Sequence, residues 1–218
     1  LEGILKHCSL AKAAELGELG LRFINHQQPS LEAQLSNIAD ELAYNFHDLD
    51  DGLRANLLTL EQLEEVEIIR SELARITAKY PKLTGRRLHK ELVRHLINTT
   101  IYELIANCPA NLPQHNPQSV AEARLSPAII QYSPESFARQ RELKKFLHKN
   151  MYKHYTVMQL RHKAEQVVRS LFTAFMSESR LLPDQFQARI AADGLVRVVA
   201  DYISGMTDRY AFRLYNRL

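Results

Sequence analysis

The chain has no tryptophan, two cysteines, seven glycines and eight prolines. Cys8 and Cys108 lie far apart and form no C-x-x-C pair, which excludes a disulfide framework or a zinc knuckle. Both thiols are expected to be reduced, as in a cytoplasmic protein. No apolar run approaches the roughly 18 residues of a membrane span, and no signal-peptide pattern opens the sequence. Period-two alternation never persists, so half-buried strands are not expected. No repeat of fixed length is visible. Neither sign of charge dominates: 28 basic residues face 25 acidic ones, for a net charge of +3 and a pI of about 8.8. That balance is too mild to argue for nucleic acid by itself. The first residue is Leu rather than Met, so a processed or truncated chain is expected.

What remains suits helices. Leu, Ala, Glu, Lys, Arg and Gln are abundant and the two helix breakers are scarce. With 218 residues, 45% of them hydrophobic, the chain can bury a sizeable core as one domain or a large part of one. A short helix is predicted over residues 10–23 and ends at Asn25–Pro29. Ser30 is a plausible N-cap for the next, which carries Leu31, Leu35, Ile38, Leu42 and Phe46 on one stripe and should stop near Gly52. Thr59 and Gln62 form a capping box, and a helix to about Ala78 should follow, closed by Tyr80–Pro81. A strong stripe from Leu88 to Ile105 predicts a core helix over 86–106. Residues 107–133, with four prolines, read as an irregular loop, interrupted by one short turn capped at Ser119. Ser133–Pro134 starts another helix. Val157 to Phe175 form a further core stripe, Pro183–Asp184 opens a short helix, and a last one is expected from Leu195 to about Leu214. The sum is an all-α fold of about seven to nine helices.

The segment Ile38–Gly52 carries the chemistry. Steps of three and four residues put Asn37, Asp40, Tyr44, Asp48 and Asp51 on one face, opposite the apolar stripe. Spacing alone leaves two readings open: a solvated face, or a face that holds a metal and a sugar. An EF-hand is excluded, since the acids are out of register and Thr59 stands where the loop needs Glu. Further on, 11 of the 25 residues from Arg139 to Lys163 are Lys, Arg or His, interleaved with Phe146, Tyr152 and Tyr155. That stretch is either a solvated basic face or a grip on single-stranded nucleic acid.

Four motifs bear a resemblance. The run from Ala39 to Arg54, A-D-E-x-A-Y-N-x-H-D-x-D-D-G-L-R, looks like the last metal-ligand segment of the HD-domain deoxynucleoside triphosphate triphosphohydrolases, the dGTPase and dGTPase-like family. Asp201–Ala211 resembles the family's D-Y-I-x-G-M-T-D-R-Y-A, and Leu1–His7 its L-E-G-I-x-K-H. Leu147–His154 is similar to an L-H-x-x-x-Y-x-H segment of the animal enzymes. The resemblance implies an HD-domain-like helical bundle and hydrolysis of a dNTP, with dGTP expected, to deoxynucleoside and tripolyphosphate. It also implies a divalent metal of the Mn, Mg or Fe class, with Zn or Ni compatible, and a homo-oligomer. Asp40 matches the final metal ligand. Tyr44 would touch phosphate or sugar, Asp48 would accept the sugar 3′-hydroxyl, Tyr152 would pack on sugar or base, and Lys144 would take the place of a phosphate-binding Arg.

The sequence departs from the pattern at Glu41 and Lys153, where the animal enzymes carry Lys and Gln. It also lacks the family's upstream His and His-Asp ligands. His47–Asp48, the only His-Asp step, follows Asp40 and is in the wrong order. Residues 1–58 would thus be the end of a metal and nucleotide core and 59–218 a helical region packing on it. The expectation is a fragment inactive alone, with the catalytic water's other ligands outside the sequence. A single-stranded nucleic-acid module and a regulator that assembles with active subunits are the competing readings.

Overall fold

The computed structural model describes residues 9–218. The motif Leu1–His7 and Cys8 therefore lie outside the described residues. The described residues form helices and connecting turns with no strand, and eight helices reach eight residues or more. The chain divides after Tyr152 into two compact units.

The first unit contains α1 (Leu10–Ala14), α2 (Gly17–Ile24), α3 (Leu31–Arg54), α4 (Leu60–Leu63), α5 (Glu67–Lys79), α6 (Gly85–His115), α7 (Val120–Leu125) and α8 (Pro134–Leu147). A π-helical turn, His148–Tyr152, continues α8. The core joins Phe46, Leu49 and Leu53 of α3 to Ile69 and Ile76 of α5, Leu92 and Leu96 of α6, and Leu143 and Leu147 of α8. Each such side chain contributes about 1.5–3 kcal/mol by leaving water.

The second unit, Lys153–Leu218, contains α9 (Tyr155–Ser177), α10 (Asp184–Gln187), α11 (Ile190–Asp193), α12 (Leu195–Ser204) and α13 (Asp208–Tyr215). Val167, Leu171 and Phe175 of α9 pack against Val198, Val199 and Tyr202 of α12 and Leu214 of α13.

Helix starts fall where the caps stand. Ser30, Thr59, Ser119 and Ser133 each accept the amide three residues on, and Gln62 returns the bond to Thr59 at 3.0 Å. Several continuations differ from expectation. The helix expected over 10–23 is a hairpin of α1 and α2, turned at Gly17 with φ +57°. The helix after Thr59 breaks at residues 64–66, so that Leu63 and Val66 both reach the core. The last helix is split at Gly205, and Thr207 caps α13.

Two corrections bear on the site. α3 ends at Arg54, close to the expected end near Gly52, but Gly52 lies inside the helix and does not form its stop. Gly52 is instead a close-packing position: a Cβ there would come within 2.6 Å of Leu58 Cδ1 and 3.2 Å of Met151 Sδ. The irregular loop expected over 107–133 is also largely helical. α6 continues through Pro109 and Pro113 to His115 and ends on left-handed Asn116. Side chains hold this extension: Asn107 donates to the Gln131 carbonyl at 2.8 Å and Asn111 to that of Ile129 at 3.1 Å. The apolar stripe of α3 is likewise displaced toward its C-terminus. Leu42, Phe46, Leu49 and Leu53 are buried while Leu35 is exposed, because small Ala33 and the buried amide of Gln34 fill the packing earlier in the helix.

Candidate functional site

Asp40, Glu41 and Tyr44 stand exposed on α3, with Asp48 half-buried one turn beyond Tyr44. The facing wall is α8 and its π-helical turn. A π-turn inserts an extra residue and so redirects the side chains after it. Here Asn150 donates to the Phe146 carbonyl at 3.1 Å inside the turn, and Tyr152 ends it. The bare Cα of Gly52 lets Met151, the neighbour of Tyr152, approach α3.

The Tyr152 hydroxyl donates a hydrogen bond to Asp48 Oδ2. The rings of Tyr44 and Tyr152 lie 6.4 Å apart at 47°, and His148 meets Tyr152 edge-on at 6.3 Å. Burial pushes the Tyr152 phenol far above its ordinary range, and its hydrogen bonds with Asp48 and Tyr44 push it further. It is therefore a fixed neutral donor to a carboxylate, not a base. Lys144 Nζ sits 2.8 Å from Glu41 Oε1. Both partners are more than half exposed, so this pair orients more than it stabilises.

The structure thus gathers Tyr44, Asp48 and Tyr152 into one contact, although 104 residues separate the last two. Lys144 is brought to the residue after Asp40. Two further groups stand on this face. Glu41 departs from the animal enzymes in sequence, and no spacing rule links it to Lys144. His148 lies inside the L-H-x-x-x-Y-x-H motif, four residues before Tyr152, and that spacing is its sequence signal.

Among the described residues no group of three or more His, Cys, Asp or Glu could hold a metal ion. A catalytic divalent ion needs several convergent ligands, and a lone carboxylate does not hold one. His47 is exposed on α3 and Asp48 is engaged by Tyr152, so this dipeptide is not a metal pair. The donor set present here does not fit a metal centre by itself.

The other signature has an architectural role. Asp201 bridges Arg189 at 2.6 Å and Arg197 at 2.9 Å. Tyr202 is buried between Phe175 and Phe186, and its hydroxyl meets that of Tyr210 at 3.0 Å.

Comparison with known proteins gives the family. A family described as a phosphohydrolase-associated domain matches residues 130–217. Relatives named deoxyguanosinetriphosphate triphosphohydrolase-like proteins align over 217 residues: 48% identical in Ralstonia pickettii, 48% in Thiobacillus denitrificans and 49% in Nitrosomonas europaea. All of this chain is covered each time. The chain belongs to the dGTPase-like family. It spans 56%, 57% and 58% of the length of those three relatives. Within this dGTPase-like chain the phosphohydrolase-associated stretch holds Lys144 and Tyr152, while Asp40, Tyr44 and Asp48 precede it. The Asp48–Tyr152 bond therefore joins two separate stretches of family sequence.

Proposed function

We propose that this chain supplies the sugar and phosphate wall of a dNTP site in a metal-dependent triphosphohydrolase, with dGTP as the substrate. Asp48 accepts the 3′-hydroxyl of the deoxyribose. Tyr44 and Tyr152 line the sugar, and Lys144 meets phosphate oxygens once it leaves Glu41. Asp40 would be one ligand of a divalent ion, whose chemistry when bound would be Lewis-acid activation of water. The described residues do not complete that ligand set, so the chain alone is expected to bind nucleotide and not to cleave it.

The observation that carries this reading is the Asp48–Tyr152 hydrogen bond with Tyr44 tilted against it. Tyr152 holds one carboxylate oxygen of Asp48 and so aims the other lone pairs at a ligand hydroxyl.

Calorimetric titration with dGTP and 2′,3′-dideoxyGTP tests it. A hydrogen bond to a charged acceptor is worth about 1.5–3 kcal/mol, so the dideoxy analogue should bind at least about tenfold more weakly. Asp48→Ala should erase that difference. Equal binding of both nucleotides to the unmutated chain would discard the assignment of Asp48. Manganese-dependent release of tripolyphosphate by the 218-residue chain would refute the expectation of inactivity.

A further inference from the structure

Asp48 and Gly52 stand one turn apart on the same side of α3. Met151 and Tyr152 are the last two residues of the π-helical turn, and both pack, half-buried, against the core of the first unit. Two contacts therefore join α3 to this turn: Gly52 faces Met151, and Asp48 meets Tyr152.

The first contact is defined by a missing side chain. Inside a 24-residue helix, glycine costs about 1 kcal/mol relative to alanine. The φ of Gly52 is not positive, so space rather than conformation calls for glycine here. On one side that space is closed by Leu58. The Leu57 and Leu58 amides donate to the Gly52 carbonyl at 2.9 and 3.2 Å, and Leu58 is only 3% exposed. On the other side is Met151, half-buried at the end of a five-residue turn, and this is the side that can yield.

We infer that Gly52 and Met151 are positioning residues for the site: Met151 plugs the notch that Gly52 leaves on α3, and so fixes the π-helical turn where Tyr152 meets Asp48. Methionine suits a plug, since an unbranched thioether adapts to an irregular gap. A methyl in the notch, or a shortened plug, loosens the turn and lets the Tyr152 hydroxyl exchange the carboxylate for water. The placement of Tyr152 stands on geometry alone; its consequence for nucleotide binding rests on the role given to Asp48 above.

The test is an alkaline titration of the full 218-residue chain, followed by phenolate absorbance and by helical circular dichroism. In the unmutated chain Tyr152 should ionise only as helicity is lost, because burial and its bonds with Asp48 and Tyr44 hold its phenol up. Gly52→Ala and Met151→Ala should each add about one phenolate per chain to the stage before helicity falls. Adding Tyr152→Phe should remove that gain, which assigns it to Tyr152. Combining Gly52→Ala with Met151→Ala should restore part of the late ionisation, because Leu58 can shift into the space that the thioether leaves. Met151→Ala decides the matter if Gly52→Ala does not fold. Both variants should also bring the preference for dGTP over 2′,3′-dideoxyGTP from about tenfold toward parity. No preference in the unmutated chain would discard the role of Asp48 and leave the phenolate result to decide this one. Four results would overturn the proposal: an unchanged early stage in both variants; a gain that survives Tyr152→Phe; a double variant as open as the singles; or a joint shift of helicity and every late phenol to lower pH, which is a general loss of stability.

Discussion

Glu72 is a carboxylate with 2% of its surface exposed, on a helix whose other buried residues are aliphatic. It survives there because three groups meet it. Arg75 from the same helix lies at 2.8 Å, the Thr99 hydroxyl at 3.0 Å and His95 Nδ1 at 3.3 Å. The last two come from α6, so the carboxylate bolts α5 to α6. A buried charge is tolerated when it is paired and hydrogen-bonded, and removing it strands its partners. Glu72→Ala should therefore cost about 2–4 kcal/mol by chemical denaturation. Arg75→Ala should cost less, because Arg75 is largely in solvent and Thr99 and His95 would still satisfy the carboxylate. Equal costs for the two variants would show that the salt bridge, rather than the cross-helix hydrogen bonds, carries the contact. In sequence, Glu72 is one more acid on an amphipathic helix, and nothing in its spacing marks it as buried.

At the scale of elements, the α1–α2 hairpin rests on one missing side chain. A Cβ on Gly20 would lie 1.6 Å from the Ala13 carbonyl oxygen. That obstacle is backbone and has no rotamer to escape into. Gly20→Ala would raise helix propensity in α2 by about 1 kcal/mol and yet should destabilise the chain, since α1 must move off and expose Ala13. The expected net loss is about 1–3 kcal/mol. Faster hydrogen exchange confined to residues 10–24 would locate it, whereas an unchanged or raised melting temperature would show that the hairpin has no tight contact. The same contrast explains what could be read without coordinates. Helix starts were legible because a cap is a local bond over three residues, as at Ser30, Thr59, Ser119 and Ser133. Helix ends were less so. Gly52 looks like a stop and is a close-packing position, and Pro109 and Pro113 look like breakers. The α6 extension persists past them because Asn107 and Asn111 bind carbonyls about twenty residues away. The site divides in the same way. Asp40, Tyr44 and Asp48 share a helix face and were visible from spacing. Their opposite wall, Lys144 and Tyr152, came only from the motif resemblance, because no local rule reports a contact across a hundred residues.

For the whole molecule, the absence of tryptophan makes its nine tyrosines the natural reporters. Each compact unit has one whose phenol is pushed up to about 12. Tyr132 in the first is raised by burial and then by Glu41 and Glu103; Tyr202 in the second is raised by burial and then by its bond to Tyr210. Tyr152 is shifted in the same direction. An unfolded tyrosine ionises near pH 10. Because the folded values are higher, the stability these groups contribute is fully present below about pH 10 and is lost as pH rises through about 12. Phenolate absorbance should therefore rise in two stages, with a late fraction that coincides with loss of helical circular dichroism. Tyr132→Phe and Tyr202→Phe should each shrink the late fraction and move alkaline unfolding to higher pH. The Tyr152 phenol is shifted further up, so the Asp48–Tyr152 contact, and with it discrimination between dGTP and its dideoxy analogue, should last until helical circular dichroism is lost. A single absorbance step complete before helicity changes would mean that these phenols are not shielded, and the tyrosine wall of the site would then be open to water rather than packed.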